Sequence, residues 1–158
     1  MSNKLEVSFN SPQCGWMSIG FEDGSSEFHT TTAHTPHSRA LSEILRGLSA
    51  LLTAATPKDE FVIEWSRNPE AYNLYFKRDA DLVNFKVIEY PSFNRLETEG
   101  ETVFSYSGNV WEFCRSFYET FLRLYEDRDT DEFEFNWRQS FPLAEFENFE
   151  FNLKSAET

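Results

Sequence analysis

Apolar and polar residues alternate in three short segments near the start of the chain. Segments 5–9 and 16–21 place an apolar residue at every second position, and segment 28–32 is rich in threonine. This period of two predicts strands that each bury one face. Asp23-Gly24 lies between the second and third segments and is typical of a hairpin turn.

A helical pattern follows the three predicted strands. Thr35-Pro36 supplies an N-cap residue followed by proline at the first helical position. Apolar residues then recur at intervals of three and four, at Leu41, Ile44, Leu45, Leu48, Leu51 and Leu52. This spacing predicts an amphipathic helix with one buried stripe, and Pro57 limits how far the helix can extend.

The alternation returns in the middle of the chain. Segments 61–65, 72–76 and 83–87 each have period-two patterning, and Val103–Tyr106 is a candidate fourth strand. Short turns connect the first three of these segments, which predicts an antiparallel meander.

The last third of the chain is predicted to be mainly helical. Asn109 with Glu112 three positions later is a capping-box arrangement, and a wide apolar stripe continues to Tyr125. Segment 133–137 fits a strand or a helix equally well. From Phe141-Pro142 onward a helix is favoured, with apolar positions at Leu143, Phe146, Phe149 and Leu153.

These elements predict the α+β class, with three strands, a helix, three to four strands and C-terminal helices. We expect one antiparallel sheet of six to seven strands with the helices packed on one face. The length of 158 residues fits a single domain, 1–158, whose acidic and aromatic C-terminal segment spans about 126–158.

Net charge is the property of the composition that bears most on function. The chain carries 27 acidic and 14 basic residues, a net charge of −13, and residues 109–158 alone hold 12 acidic and 5 basic side chains. This balance argues against direct binding to nucleic acid or to an anionic membrane, because both depend on lysine and arginine. A basic protein is the natural complement of such a charge, although acidity can also serve solubility alone.

The sequence predicts a soluble cytoplasmic protein. No apolar run approaches the roughly 18 residues of a membrane span, and the N-terminal residues contain no apolar signal core. The two cysteines, Cys14 and Cys114, do not make the disulfide framework of a small secreted protein.

No motif for catalysis or for a cofactor is present. The six glycines form no phosphate-binding loop, and Gly-x-Ser-x-Gly is absent. His29, His34 and His37 lie close in sequence and leave open a small metal- or ligand-binding enzyme domain, although their spacing matches no strong metal signature. We therefore predict no catalytic residue, no metal ligand and no cofactor.

The acidic and aromatic C-terminal segment is the predicted partner-binding region. Aromatic residues anchor protein interfaces, and surrounding carboxylates speed the approach of a cationic partner. The candidate contacts are Asp127, Asp129, Asp131, Glu132, Glu134, Phe135, Trp137, Glu145, Glu147 and Glu150. A structural role in a larger assembly, with this segment docked on a neighbour, is the other alternative.

In size, acidity and order of elements the chain resembles the small immunity proteins of bacterial toxin systems. It also resembles a group of bacterial proteins that share Gly15-Trp16, Asp23-Gly24 and an aromatic helix followed by Phe141-Pro142-Leu143. The first resemblance implies a cytoplasmic, non-enzymatic inhibitor that binds and neutralises a basic toxin domain, for example one with nuclease activity. It transfers no individual functional residue.

Overall fold

The computed structural model describes residues 5–9, 16–33, 40–53, 60–66, 71–90, 100–127 and 141–156. Within these ranges the chain forms strands and helices in the predicted order. The strands are β1 (Glu6–Phe9), β2 (Trp16–Glu22), β3 (Glu27–Ala33), β4 (Glu60–Ser66), β5 (Ala71–Asp79), β6 (Leu82–Tyr90) and β7 (Glu101–Asn109). The helices are α1 (Ala40–Leu52), α2 (Val110–Glu126) and α3 (Leu143–Ala156). The α+β class is confirmed, and so is the helix after Phe141-Pro142.

The strands form two antiparallel sheets, so the prediction of one sheet of six to seven strands is wrong. The first sheet has the order β1-β2-β3 and the second has the order β4-β5-β6-β7. The two sheets meet through their apolar faces, where the Phe21 ring lies 4.9 Å from the Phe85 ring and 5.8 Å from the Phe104 ring. Alternation tells which face of a strand is buried, but it carries no information about whether β3 and β4 pair across α1.

The hairpin between β2 and β3 uses the predicted Asp-Gly turn. Asp23 Oδ1 accepts hydrogen bonds from the N–H groups of Ser25 at 3.0 Å and Ser26 at 2.9 Å. Gly24 has a φ of 91°, a left-handed conformation that glycine adopts without a steric cost. The backbone hydrogen bonds hold the pKa of the Asp23 carboxyl below its usual range.

Helix α2 begins at the predicted cap. Asn109 Oδ1 accepts the N–H groups of Trp111 at 2.9 Å and Glu112 at 3.2 Å. These bonds satisfy two of the four backbone donors that every helix N-terminus leaves unpaired.

The same helix covers the outer edge of β1. Ser116 Oγ donates a hydrogen bond to the Leu5 carbonyl oxygen at 2.6 Å, and Thr120 Oγ1 accepts one from the Phe9 N–H at 3.0 Å. Both hydroxyl side chains are buried. An exposed edge strand invites pairing with other chains, and α2 blocks that pairing at both ends of β1.

Phenylalanine dominates the core in which the sheets and helices meet. The rings that are wholly or almost wholly buried include Phe21, Phe76, Phe85, Phe113, Phe117, Phe121 and Phe149. Helix α1 packs closely on β4, because a Cβ atom at Gly47 would lie 2.1 Å from the Phe61 ring. Phe61 in turn stacks on Phe76 with ring centroids 4.3 Å apart.

Helix α3 packs against α1 and α2 through one apolar stripe. Phe146, Phe149 and Leu153 are buried, and the rings of Tyr118 and Tyr125 on α2 lie 5.8 Å and 5.7 Å from the Phe146 ring. None of the three described helices is both long enough and apolar enough to cross a lipid bilayer.

Candidate functional site

Four of the ten predicted partner contacts lie among the described residues. They are Asp127 at the end of α2 and Glu145, Glu147 and Glu150 on α3. The other six, Asp129, Asp131, Glu132, Glu134, Phe135 and Trp137, lie outside the described residues. The described part of the predicted partner-binding region is therefore the surface formed by α3 and the end of α2.

Two of the four carboxylates are used inside the fold. Glu145 Oε1 lies 3.4 Å from Arg46 Nη2 on α1. Glu150 Oε2 accepts a hydrogen bond of 2.5 Å from the Tyr118 hydroxyl and lies 3.7 Å from Lys154 Nζ. These contacts tie α3 to both neighbouring helices, so Glu145 and Glu150 have a structural role whether or not a partner binds.

The environment of Tyr118 reinforces this attachment. Burial raises the pKa of Tyr118 to about 12, with a further contribution from the hydrogen bond to Glu150 and from the nearby charge of Glu126. The phenol therefore keeps its proton throughout the physiological pH range and remains a donor to Glu150.

Three other carboxylates in this region are oriented toward solvent. Glu126, Asp127 and Glu147 are exposed, and none forms an ion pair with another described residue. The Asp127 N–H donates to the Arg123 carbonyl at 3.0 Å and closes the last turn of α2. These three acids are the ones that can meet a cation without disrupting the fold.

The structure exposes an aromatic residue that is not among the contacts predicted from the sequence. Phe151 on α3 is 68% exposed, and Leu143 on the same helix is 41% exposed. Leu143, Glu147 and Phe151 follow one another at intervals of four and so share one side of the helix. We call these three residues the outer face of α3.

A separate groove lies between α2 and the solvent side of the first sheet. Its volume is about 390 Å³. Its lining includes the side chains of Glu6, Glu22, Glu119, Arg123 and His29. Glu6 and Glu22 are direct cross-strand neighbours. Two like charges in these positions destabilise a sheet unless a cation lies near them.

Gly20 shapes the floor of this groove. A Cβ atom at Gly20 would lie 2.5 Å from His29 Nδ1 and 2.9 Å from Ser8 Oγ, so only glycine lets the His29 ring lie across the strand. His29 Nε2 lies 3.4 Å from Glu27 Oε2.

Neither the histidines nor the cysteines form a reactive cluster in the described part of the chain. His34, His37 and Cys14 lie outside it, and within it no group of three or more His, Cys, Asp or Glu side chains could hold a metal ion. Cys114 is fully buried, and burial strongly raises the pKa of its thiol. A thiol held in the protonated form is a poor nucleophile, so Cys114 serves as a small core residue.

Comparisons with known proteins identify no relative. No protein-family model, no curated protein and no solved structure matches the chain.

Proposed function

We propose that this chain is a non-enzymatic, acidic binding protein that captures and neutralises a basic protein partner, in the manner of bacterial immunity proteins. The partner class that fits best is a toxin domain whose own target is anionic, such as a nuclease. Carboxylates of the binding protein would then occupy the cationic surface that otherwise holds phosphates. No cofactor takes part in this function.

The proposal rests on the negative charge of the C-terminal region and on the exposure of its acidic side chains. Residues 109–158 contribute 12 acidic and 5 basic side chains to a net charge of −13. Where this region is described, Glu126, Asp127 and Glu147 are exposed and make no ion pair with another described residue. Unpaired surface charge of one sign attracts a partner of opposite sign and raises the association rate.

The proposal predicts a strongly salt-dependent association rate. The partner is a basic protein recovered with the tagged chain and then purified, and its association is followed by stopped-flow fluorescence. Between about 10 mM and about 500 mM salt we expect the rate constant to fall at least about tenfold, because the Debye length shrinks from about 30 Å to a few ångströms. A rate that does not change with salt would contradict the proposal.

Two double charge-reversal variants, compared in the same assay, distinguish the effect of charge at the proposed site from the effect of net charge on the association rate. Glu126→Lys combined with Asp127→Lys changes two exposed acids at the end of α2. Glu60→Lys combined with Glu101→Lys changes the net charge by the same amount on exposed positions of the second sheet. We expect the first variant to associate about tenfold more slowly than the second, while equal rates would point to net charge alone.

The groove favours a second candidate function, the binding of a small cationic ligand beside His29. A concave site of about 390 Å³ falls within the size range of small-molecule sites. Titration with agmatine, which carries a guanidinium and an amine, tests this alternative by amide chemical shifts. Saturable shifts at Ser8, Gly20 and His29 that disappear in Glu22→Gln would support the alternative, and unchanged spectra would contradict it.

A further inference from the structure

The outer face of α3 carries apolar side chains that are not part of the hydrophobic core. The opposite side of the helix already supplies Phe146, Phe149 and Leu153 to the core. Phe151 nevertheless stands 68% exposed and Leu143 41% exposed. Aromatic side chains are enriched at protein interfaces because they bury a large area for a small loss of conformational entropy.

Charge decides which kind of molecule can cover this face. Glu147 lies between Leu143 and Phe151, and it makes no ion pair with another described residue. A cationic side chain next to Glu147 would gain an ion pair, and its aliphatic part or its charge could lie on the Phe151 ring. A wholly apolar partner would instead bury the Glu147 carboxylate without compensation.

A second copy of this chain is a poor occupant for the same reason. In a symmetric dimer of antiparallel α3 helices, Leu143 of each chain would meet Phe151 of the other. Glu147 is midway between them, so the two Glu147 carboxylates would face each other at the symmetry axis. The net charge of −13 on each copy adds further repulsion.

We infer that the outer face of α3 is the surface that contacts the basic protein partner. Phe151 is its aromatic anchor, and Glu147 pairs with a lysine or arginine of that partner. This inference rests on the proposed function and assigns to it a specific surface, centred on a residue outside the set predicted from the sequence. The contact would then lie on a helix whose Glu145 and Glu150 contact Arg46 on α1 and Tyr118 on α2.

Site-specific photocrosslinking tests the location and the occupant together. Benzoylphenylalanine is introduced in place of Phe151 and, as a matched control, in place of Leu82, which is 53% exposed on β6. Illumination of cells should attach a basic protein to position 151 and not to position 82. No crosslink at position 151, a crosslink to a second copy, a crosslink to an acidic or neutral protein, or equal crosslinking at both positions would overturn the inference.

Alanine substitutions then measure the contribution of the anchor. We expect Phe151→Ala to raise the Kd for the purified basic partner about tenfold and Leu82→Ala to leave it within about twofold, with both variants unfolding at the wild-type midpoint. Binding that remains salt-dependent but is insensitive to Phe151→Ala would refute the surface and leave the proposed function intact. If no basic protein binds, or if binding does not depend on salt, the proposed function fails as well.

Discussion

Replacing Phe85 with alanine is expected to lower the free energy of unfolding by about 3–5 kcal/mol, the usual cost of removing a buried phenylalanine ring. Phe85 lies on β6, between β5 and β7, and no part of it is exposed. Its ring is at the centre of an aromatic cluster, with centroid distances to Phe21 of 4.9 Å, Phe76 of 5.0 Å, Phe113 of 5.5 Å, Phe104 of 6.2 Å and Phe117 of 6.4 Å. The cavity left by alanine would therefore weaken contacts of both sheets and of α2 at once.

Urea denaturation followed by circular dichroism measures this loss directly. Phe151→Ala is the matched control, because it removes the same side chain from an exposed position and should change the free energy of unfolding by less than about 0.5 kcal/mol. Comparable losses in the two variants would mean that Phe85 is not the centre of the core.

The local pattern of the sequence was sufficient to predict the elements around Phe85. Alternation of Val83, Phe85 and Val87 with polar residues predicted a strand with these three side chains buried, and all three have no exposed surface. The predicted alternation and the observed burial agree here because successive side chains of a strand point to opposite faces. A strand with one buried face can therefore bury only one of its two alternating sets of residues. The Asn109 cap was equally predictable, since it depends on residues within one helical turn.

The division into two sheets could not be predicted in the same way. Whether β3 pairs with β4 depends on contacts between residues that are distant in sequence, and strand patterning is the same in either arrangement. The hydroxyl groups that fix β1 illustrate the difficulty. Ser116 and Thr120 are polar residues of α2 outside its predicted apolar stripe. Their partners, the Leu5 carbonyl next to β1 and the Phe9 N–H on β1, are each 111 positions away.

The sequence predicts the candidate site only in part. The acidic residues of α3 were identified, but the sequence could not distinguish Glu147, which faces solvent, from Glu145 and Glu150, which bind Arg46 and Tyr118. Phe151 did carry a usable signal. It follows the buried Phe149 by two positions, which is about 200° around a helix, so the two rings cannot share one face.

Arg78 connects the second sheet to two helices through polar contacts. The aromatic cluster around Phe85 connects both sheets and α2 through apolar contacts. Its side chain, only 15% exposed, reaches from the end of β5 to the last turn of α1, where Nη1 donates to the Leu51 carbonyl oxygen. Nε donates to the Ala80 carbonyl at 2.6 Å, and Nη2 lies 3.7 Å from Asp81 Oδ1. The guanidinium also lies over the Trp111 ring at the start of α2, 5.5 Å from its centroid.

Arg78→Ala is accordingly expected to lower the free energy of unfolding by about 2–3 kcal/mol. The loss combines charged hydrogen bonds, worth about 1.5–3 kcal/mol, with a cation–π contact worth about 0.5–1 kcal/mol, reduced by the solvent that enters the vacated site. Arg78→Lys should recover about half of the loss, because an ammonium can lie over Trp111 but cannot reach the Leu51 and Ala80 carbonyls with a planar fork of donors.

Lys77→Ala is the control for Arg78 in the same denaturation experiment. Lys77 is the adjacent residue on β5, but it is exposed on the other side of the strand, and its Nζ lies 4.0 Å from Glu60 Oε2. An exposed pair of this kind contributes at most about 0.5–1 kcal/mol. If Arg78→Ala cost no more than Lys77→Ala, or if Arg78→Lys were as stable as the wild type, the geometry of the guanidinium would not be what joins α1 and α2 to the second sheet.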